Sequence, residues 1–75
     1  MDKLKELKEG QCATIAGVKG DTRFLSRITS IGLTLGCQVE VLRNERKLPI
    51  LIYSRDSMIA LNRNECDMIF VEVSK

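Results

Sequence analysis

The sequence predicts a mainly β protein: a small, closed or nearly closed barrel of about five strands, with one α-helix after the first strand and a short helical turn before the last. Several short segments alternate apolar and polar residues with the period of a strand and are separated by turn residues. Only the segment 24–31 carries apolar residues at helical spacing over about two turns. A chain of 75 residues has room for one thin core, and closure of the sheet removes exposed strand edges.

The first part of the chain predicts a helical turn followed by a strand. Leu4 and Leu7 stand three residues apart before Gly10, which indicates one short turn that packs two leucines and ends at the glycine. From Gln11 to Val18 the residues alternate in the manner of a half-buried strand, although most of them are small. This segment is the first predicted strand.

A helix is predicted to begin after Asp21, whose side chain can accept a hydrogen bond from an unpaired backbone N–H of the first turn. Gly32 ends the helix, because glycine readily adopts the left-handed conformation required there. In such an ending Leu33 is expected to pack against Ile28. The apolar stripe of the helix consists of Phe24, Leu25, Ile28 and Ile31.

The rest of the chain predicts four strands and one more helical turn. Residues 37–41 alternate clearly, with Cys37 on the apolar side. The runs 50–54 and 58–61 are joined by a tight polar turn and are typical of a hairpin. Asn62 is the predicted N-cap of a single helical turn, with Glu65 as its capping-box partner. The last strand is predicted over residues 68–73.

Composition and charge limit the classes of function. Hydrophobic residues make up 44% of the chain and charged residues 29%, which is typical of a folded globular domain, and a single domain over residues 1–75 is expected. The net charge of +2 is spread along the chain, so no nucleic acid is expected as a partner. The residues 1–6 lack the apolar region of a signal peptide, and the longest apolar run is far shorter than a membrane span, so we expect a cytoplasmic protein.

The sequence offers little chemistry for catalysis, and we expect a protein that is not an enzyme. It contains no histidine, which removes the commonest general base and the commonest metal ligand. The glycines form no phosphate-binding motif and are interpreted as turn residues.

The three cysteines are expected to be reduced thiols, because they are odd in number and widely separated. Cys12 and Cys37 are predicted to be small, buried strand residues. Glu65, Cys66 and Asp67, with Met68 beside them, form the only local cluster of candidate ligands for Fe(II) or another divalent transition metal. Neighbouring residues on one turn point in different directions, so the preferred interpretation is a solvated turn with Cys66 facing the core.

Taken together, these motifs resemble the FeoA family. The segment 27–36 is similar to the R-L-x-x-L-G-L-x-P-G signature of that family, and the segments 4–10 and 59–71 resemble its opening and its close. The resemblance covers nearly the whole chain. Leu35 stands in place of the usual proline, Asp56 replaces a frequent glycine of the hairpin, and Asn62 replaces the usual arginine.

The resemblance implies an SH3-like barrel that serves bacterial ferrous iron uptake as a cytosolic partner of the membrane GTPase permease, FeoB. Contact with the membrane would then run through this partner only. Such a module needs an exposed contact surface, and the exposed apolar loop after the helix is also typical of surfaces that self-associate, so homo-oligomers are a second expectation. The predicted partner patch consists of Arg23, Arg27, Leu33, Thr34 and Leu35.

Two rival functions remain open at this stage. The family is similar to the C-terminal domain of iron-dependent repressors, which makes a metal-responsive regulatory module the first alternative. Family descriptions attach transition-metal binding to the fold, but the sequence supplies no complete ligand set. The second alternative is a small RNA-associated barrel, for which the low net charge and the shortage of aromatic residues are unfavourable.

Overall fold

The computed structural model of the chain describes residues 1–73, and within them six strands form a single antiparallel sheet. The strand order is β1-β6-β2-β3-β4-β5. Helix α1 (Thr22–Ser30) follows β2, and helix α2 (Arg63–Cys66) precedes β6. A 3₁₀ turn (Leu4–Glu6) lies between β1 and β2. The strands are β1 (Asp2–Lys3), β2 (Cys12–Val18), β3 (Gln38–Arg43), β4 (Ile50–Ser54), β5 (Ser57–Leu61) and β6 (Ile69–Val73).

The predicted SH3-like barrel is confirmed, with one strand more than expected. Among the described residues the sheet is not closed by pairing, because its end strands β1 and β5 do not pair with each other. Strand β1 has only two residues, both charged, so no alternation marks it in the sequence. It exists because Asp2 pairs with Val71 and Lys3 pairs with Phe70, close to the other end of the chain. A pairing of this kind depends on tertiary structure and cannot be inferred from a local pattern.

One face of the sheet supplies the core, and this is why the sheet rolls up. Each of the strands β2 to β6 sends alternate side chains into the same buried cluster. A chain this short has no second layer large enough to cover a flat sheet, so curling the sheet around its own apolar face is the way to bury that face. The core residues from these strands are Ala13, Ile15, Val39, Val41, Ile50, Ile52, Leu61, Ile69 and Val71.

The strand cysteines behave differently from one another. Cys37 is buried, as predicted, and its Sγ lies 3.0 Å from the Oγ of Ser54. Ser54 is itself buried, and its hydroxyl donates a hydrogen bond of 2.9 Å to the carbonyl oxygen of Gln38. The prediction that Cys12 is buried is wrong: it is exposed, because the inward side chain of β2 at this point is Ala13.

Helix α1 begins and ends as its local sequence predicts. Asp21 Oδ1 accepts a hydrogen bond of 2.9 Å from the N–H of Phe24. At the other end Gly32 has φ +93°, and the N–H of Leu33 donates to the carbonyl oxygen of Ile28 at 3.1 Å. This is the Schellman ending, and Leu33 and Ile28 are both in the core.

The β4–β5 hairpin turns through two residues in the left-handed region. Arg55 has φ +52° and Asp56 has φ +62°, which defines a type I′ turn. The predicted tolerance of Asp56 for this geometry is confirmed, and Tyr53 Oη donates a hydrogen bond of 3.1 Å to its carboxylate. In the part of the chain that the structure describes, neither helix has the length and apolar character needed to cross a bilayer.

Candidate functional site

The candidate site is an apolar groove of about 670 Å³ beside helix α1. It opens where the end of β2, one flank of α1 and the loop after α1 meet. Its lining side chains are aliphatic or threonine, and none carries a charge. The lining residues are Ala16, Gly17, Val18, Leu25, Ile28, Thr29, Leu33, Thr34 and Leu35.

The floor of the groove is open because of a β-bulge in β2. The register between β2 and β6 shifts between Ile15 and Gly17, and a bulge of this kind bends the strand and re-aims its side chains. A Cβ atom placed on Gly17 would meet no other atom within 4 Å. The bulge therefore leaves space next to the helix, and Gly17 is one of the residues that line it.

The loop after α1 forms the outer wall. It is fixed to β2, because Gly36 N–H donates to the carbonyl oxygen of Ile15 at 2.9 Å and Ile15 N–H donates to that of Cys37 at 2.8 Å. The anchored loop holds Leu35 outward with 70% of its surface exposed. Leu25, on the helix side, is 39% exposed. Two leucines thus border the groove in contact with solvent.

The structure brings together only part of the predicted partner patch. Thr34 and Leu35 line the groove. Leu33 is 1% exposed, so it is a core residue that packs at the helix end, and its place in an exposed patch is corrected. Its burial follows from the Schellman ending, which turns the residue after Gly32 back onto the helix.

The two predicted arginines lie on the other flank of α1. Arg23 and Arg27 are four residues apart and share one side of the helix, whereas Leu25 and Thr29 share the side that faces the groove. Arg27 forms an ion pair with Glu65 of α2. The predicted patch is therefore two separate surfaces.

Sequence reasoning missed two contributions to the site. Leu25 was assigned to the buried stripe but sits at its edge, and Arg55 of the hairpin turn reaches the rim, with its Nη2 3.4 Å from Thr34 Oγ1. The sequence did contain an indication of the bulge in β2, because an isolated glycine such as Gly17 within a strand pattern often marks a bulge.

The candidate metal ligands do not converge. Glu65 accepts a hydrogen bond of 3.0 Å from the N–H of Asn62 and pairs with Arg27. Asp67 lies 3.0 Å from the Nζ of Lys3 and from that of Lys5, and these hydrogen bonds hold the pKa of Asp67 below its usual value. Within residues 1–73 no group of three or more His, Cys, Asp or Glu side chains is placed to hold a metal ion.

Cys66 faces the core, as the preferred interpretation of this turn predicted. Its side chain is fully buried, and desolvation raises the pKa of its thiol to about 12, although Arg63 acts in the opposite direction. A metal ligand must be the thiolate, which burial disfavours at neutral pH. The residues Glu65, Cys66 and Asp67 therefore do not fit the transition-metal site considered for them.

The three thiols are expected to differ sharply in reactivity. At pH 8 Ellman's reagent should modify Cys12 quickly and leave Cys37 and Cys66 intact, because the buried thiols are shielded and only about one Cys66 in ten thousand is ionised at a pKa of about 12. Stopped labelling followed by mass spectrometry measures this. Cys12→Ser should abolish the fast phase, and rapid modification of a second cysteine in the native chain would contradict these positions.

The FeoA domain model matches residues 3–73 of the chain. The chain belongs to the FeoA family. No curated protein matches it. It resembles the crystal structure of an iron uptake regulatory protein (FeoA) with a TM-score of 0.93 and 22% identity, covering 97% of each chain. FeoA from Chlorobium tepidum matches with a TM-score of 0.86 and 28% identity, over 99% of this chain and 71% of that one.

The FeoA fold also recurs in metal-dependent repressors. A manganese-dependent transcriptional repressor matches with a TM-score of 0.90 and 21% identity, over 97% of this chain and 41% of the repressor. At that identity the similarity shows the fold alone. It does agree with the expected likeness between FeoA proteins and a domain of repressors.

Proposed function

We propose that the chain is a non-enzymatic accessory protein of bacterial ferrous iron uptake, which acts in the cytoplasm by binding the GTPase permease FeoB and modulating it. Membership of the FeoA family, which is implicated in iron transport, supports the assignment to iron uptake. The observation that carries the mode of action is the open apolar groove with Leu35 exposed beside it.

The lining of the groove favours binding over catalysis. Aliphatic side chains and two threonines offer neither a nucleophile with an adjacent base nor an ionisable group, so the groove provides apolar contact area. Covering a leucine of this kind on association contributes at most about 1.5–3 kcal/mol. The proposed occupant is a short apolar segment of the cytosolic part of FeoB, with Arg55 at the rim available to a carboxylate of that segment.

In the proposed function, iron is the cargo of the transporter. The side chains once considered as its ligands are bound to Arg27, Lys3 and Lys5, or buried in the core. The proposed role therefore depends on contact between the two proteins, and we assign no resident metal to the residues 65–67.

The test is a binding measurement with purified full-length FeoB in detergent and with its cytosolic GTPase domain, each with and without Fe(II) and a GTP analogue. Leu35→Asp is expected to weaken binding tenfold or more, because it places a charge at the mouth of an apolar groove. The variant should keep the thermal unfolding midpoint of the parent chain, since Leu35 is 70% exposed.

Leu48→Asp is the matched control, because Leu48 is 44% exposed and lies outside the groove. It should bind as the parent chain does. Equal binding by the parent chain and Leu35→Asp would remove the groove from the proposal, and a failure of the parent chain to bind either form of FeoB would overturn the proposed partner.

A further inference from the structure

The two edges of the sheet are protected to different degrees. Strand β1 forms one edge with two charged residues, and its Lys3 is held by Asp67. Strand β5 forms the other edge with five residues, Ser57–Leu61, none of them charged and none of them proline. Proteins commonly shield an edge with short strands, charges, proline or bulges. Strand β5 has none of these devices.

The backbone of β5 offers a regular set of hydrogen-bonding groups. Within residues 1–73 it pairs only with β4, in an uninterrupted register from Ser54↔Ser57 to Ile50↔Leu61. A two-residue hairpin turn makes Ser54 and Ser57 a hydrogen-bonded pair, and such pairs alternate along an antiparallel ladder. The N–H and C=O groups of Met58 and Ala60 therefore point away from β4.

The outward side chains beside this edge are apolar. Met58 is 68% exposed and lies opposite Tyr53, which is 40% exposed. Ala60 is also exposed and lies opposite the half-buried Leu51. An apolar strip thus runs along an edge whose backbone groups lack a partner among the described residues.

We propose that β5 pairs antiparallel with β5 of a second copy of the chain, around a two-fold axis at Ile59. This inference is independent of the proposed role in iron uptake. In this register Met58 of each copy lies opposite Ala60 of the other. Each of these two equivalent pairs can exchange both of its backbone hydrogen bonds. The two sheets would become continuous.

A second copy fits this edge because the strand is complementary to itself. A shift of one residue would place the outward Met58 beside the inward Ile59 of the other copy, and sheets disfavour that arrangement. The proposed register sets Arg55 opposite Arg63, but both guanidinium groups are turned elsewhere. Arg55 reaches Thr34, and Arg63 donates to the carbonyl oxygens of residues 45 and 48 at 3.0 and 3.3 Å.

The contact is small, so the dimer should be weak. One five-residue strand from each copy buries much less area than a standard stable interface, and a dissociation constant on the order of 0.1 to 1 mM is expected. The association would matter where several copies are held close together, because a high local concentration compensates for low affinity.

The experiment combines sedimentation velocity with amide hydrogen exchange by NMR on the full chain at about 0.05 mM and about 2 mM, which bracket that constant. We expect a shift towards the dimer at the higher concentration. The amides of Met58 and Ala60 should be protected in the dimer and not in the monomer, so their exchange should slow by about two- to fourfold between the two concentrations. The amide of Ile59 is protected at both concentrations by β4.

Met58→Lys should abolish the dimer and the added protection, because lysine on an edge strand opposes pairing and position 58 is exposed enough to accept it. Leu42→Lys is the matched control, since Leu42 is 37% exposed on β3, an interior strand, and this variant should still dimerise. A chain that is monomeric at 2 mM overturns the proposal. So does a dimer that leaves the two amides unprotected, or protection that appears only on addition of FeoB.

Discussion

Leu33→Ala is expected to lower the free energy of unfolding by about 2–5 kcal/mol, whereas Leu35→Ala should change it by less than about 0.5 kcal/mol. The two leucines are two positions apart in one loop, but Leu33 is 1% exposed and Leu35 is 70% exposed. Removing the buried side chain leaves a cavity at the end of α1, while removing the exposed one leaves the core unchanged. Urea unfolding followed by circular dichroism measures both values.

The comparison remains informative if Leu33→Ala fails to fold, because Leu33→Met keeps most of the volume and should cost less than about 1.5 kcal/mol. Equal destabilisation by the two alanine variants would contradict the division of this loop into a core residue and a surface residue. The proposed contact surface would then lose its main support, since Leu35 could no longer be changed without altering the fold.

Gly17→Gln is expected to weaken binding of FeoB by tenfold or more while leaving the domain folded. Gly17 lines the groove that the FeoB segment is proposed to occupy, and a Cβ added at this position meets no atom within 4 Å, so a larger side chain can be accommodated at the edge of the groove. The strand itself should gain up to about 0.5–1 kcal/mol of stability, because glycine loses the most backbone entropy on folding. Binding isotherms and thermal unfolding of the same preparations separate the two effects.

Cys12→Gln is the control for this substitution, because it places the same side chain on the same strand at an exposed position outside the groove. It should bind as the parent chain does. If Gly17→Gln also binds normally, the FeoB segment does not enter the groove, and contact through Leu35 alone would have to explain the loss caused by Leu35→Asp.

Local chemistry made much of this fold predictable. The cap at Asp21, the ending at Gly32 and the capping-box contact between Asn62 and Glu65 each depend on residues within a few positions of one another, and all are present in the structure. The strands with strong alternation were located to within about two residues for the same reason.

The parts that were not predicted depend on contacts distant in sequence. Strand β1 forms only because β6 lies beside it. Arg27 is separated from Leu35 because it lies on the flank of α1 away from the groove, where it pairs with Glu65 of α2. The groove itself needs a bulge in β2, a helix and a loop in one place. The sequence pattern could identify Leu35 as a candidate contact residue, but it could not show which residues surround it in the folded chain.

The position of β6 in the sheet determines when the sheet can be completed during synthesis of the chain. This strand is the last to be synthesised, yet it lies between β1 and β2, which are the first. The strands β2-β3-β4-β5 are neighbours in the sheet in chain order and can pair as they leave the ribosome. Strand β1 has no partner, and β2 has a partner on one side only, until residues 69–73 have emerged. A nascent chain therefore carries β2 with an open side throughout synthesis, and the barrel is completed only after translation has passed its final strand.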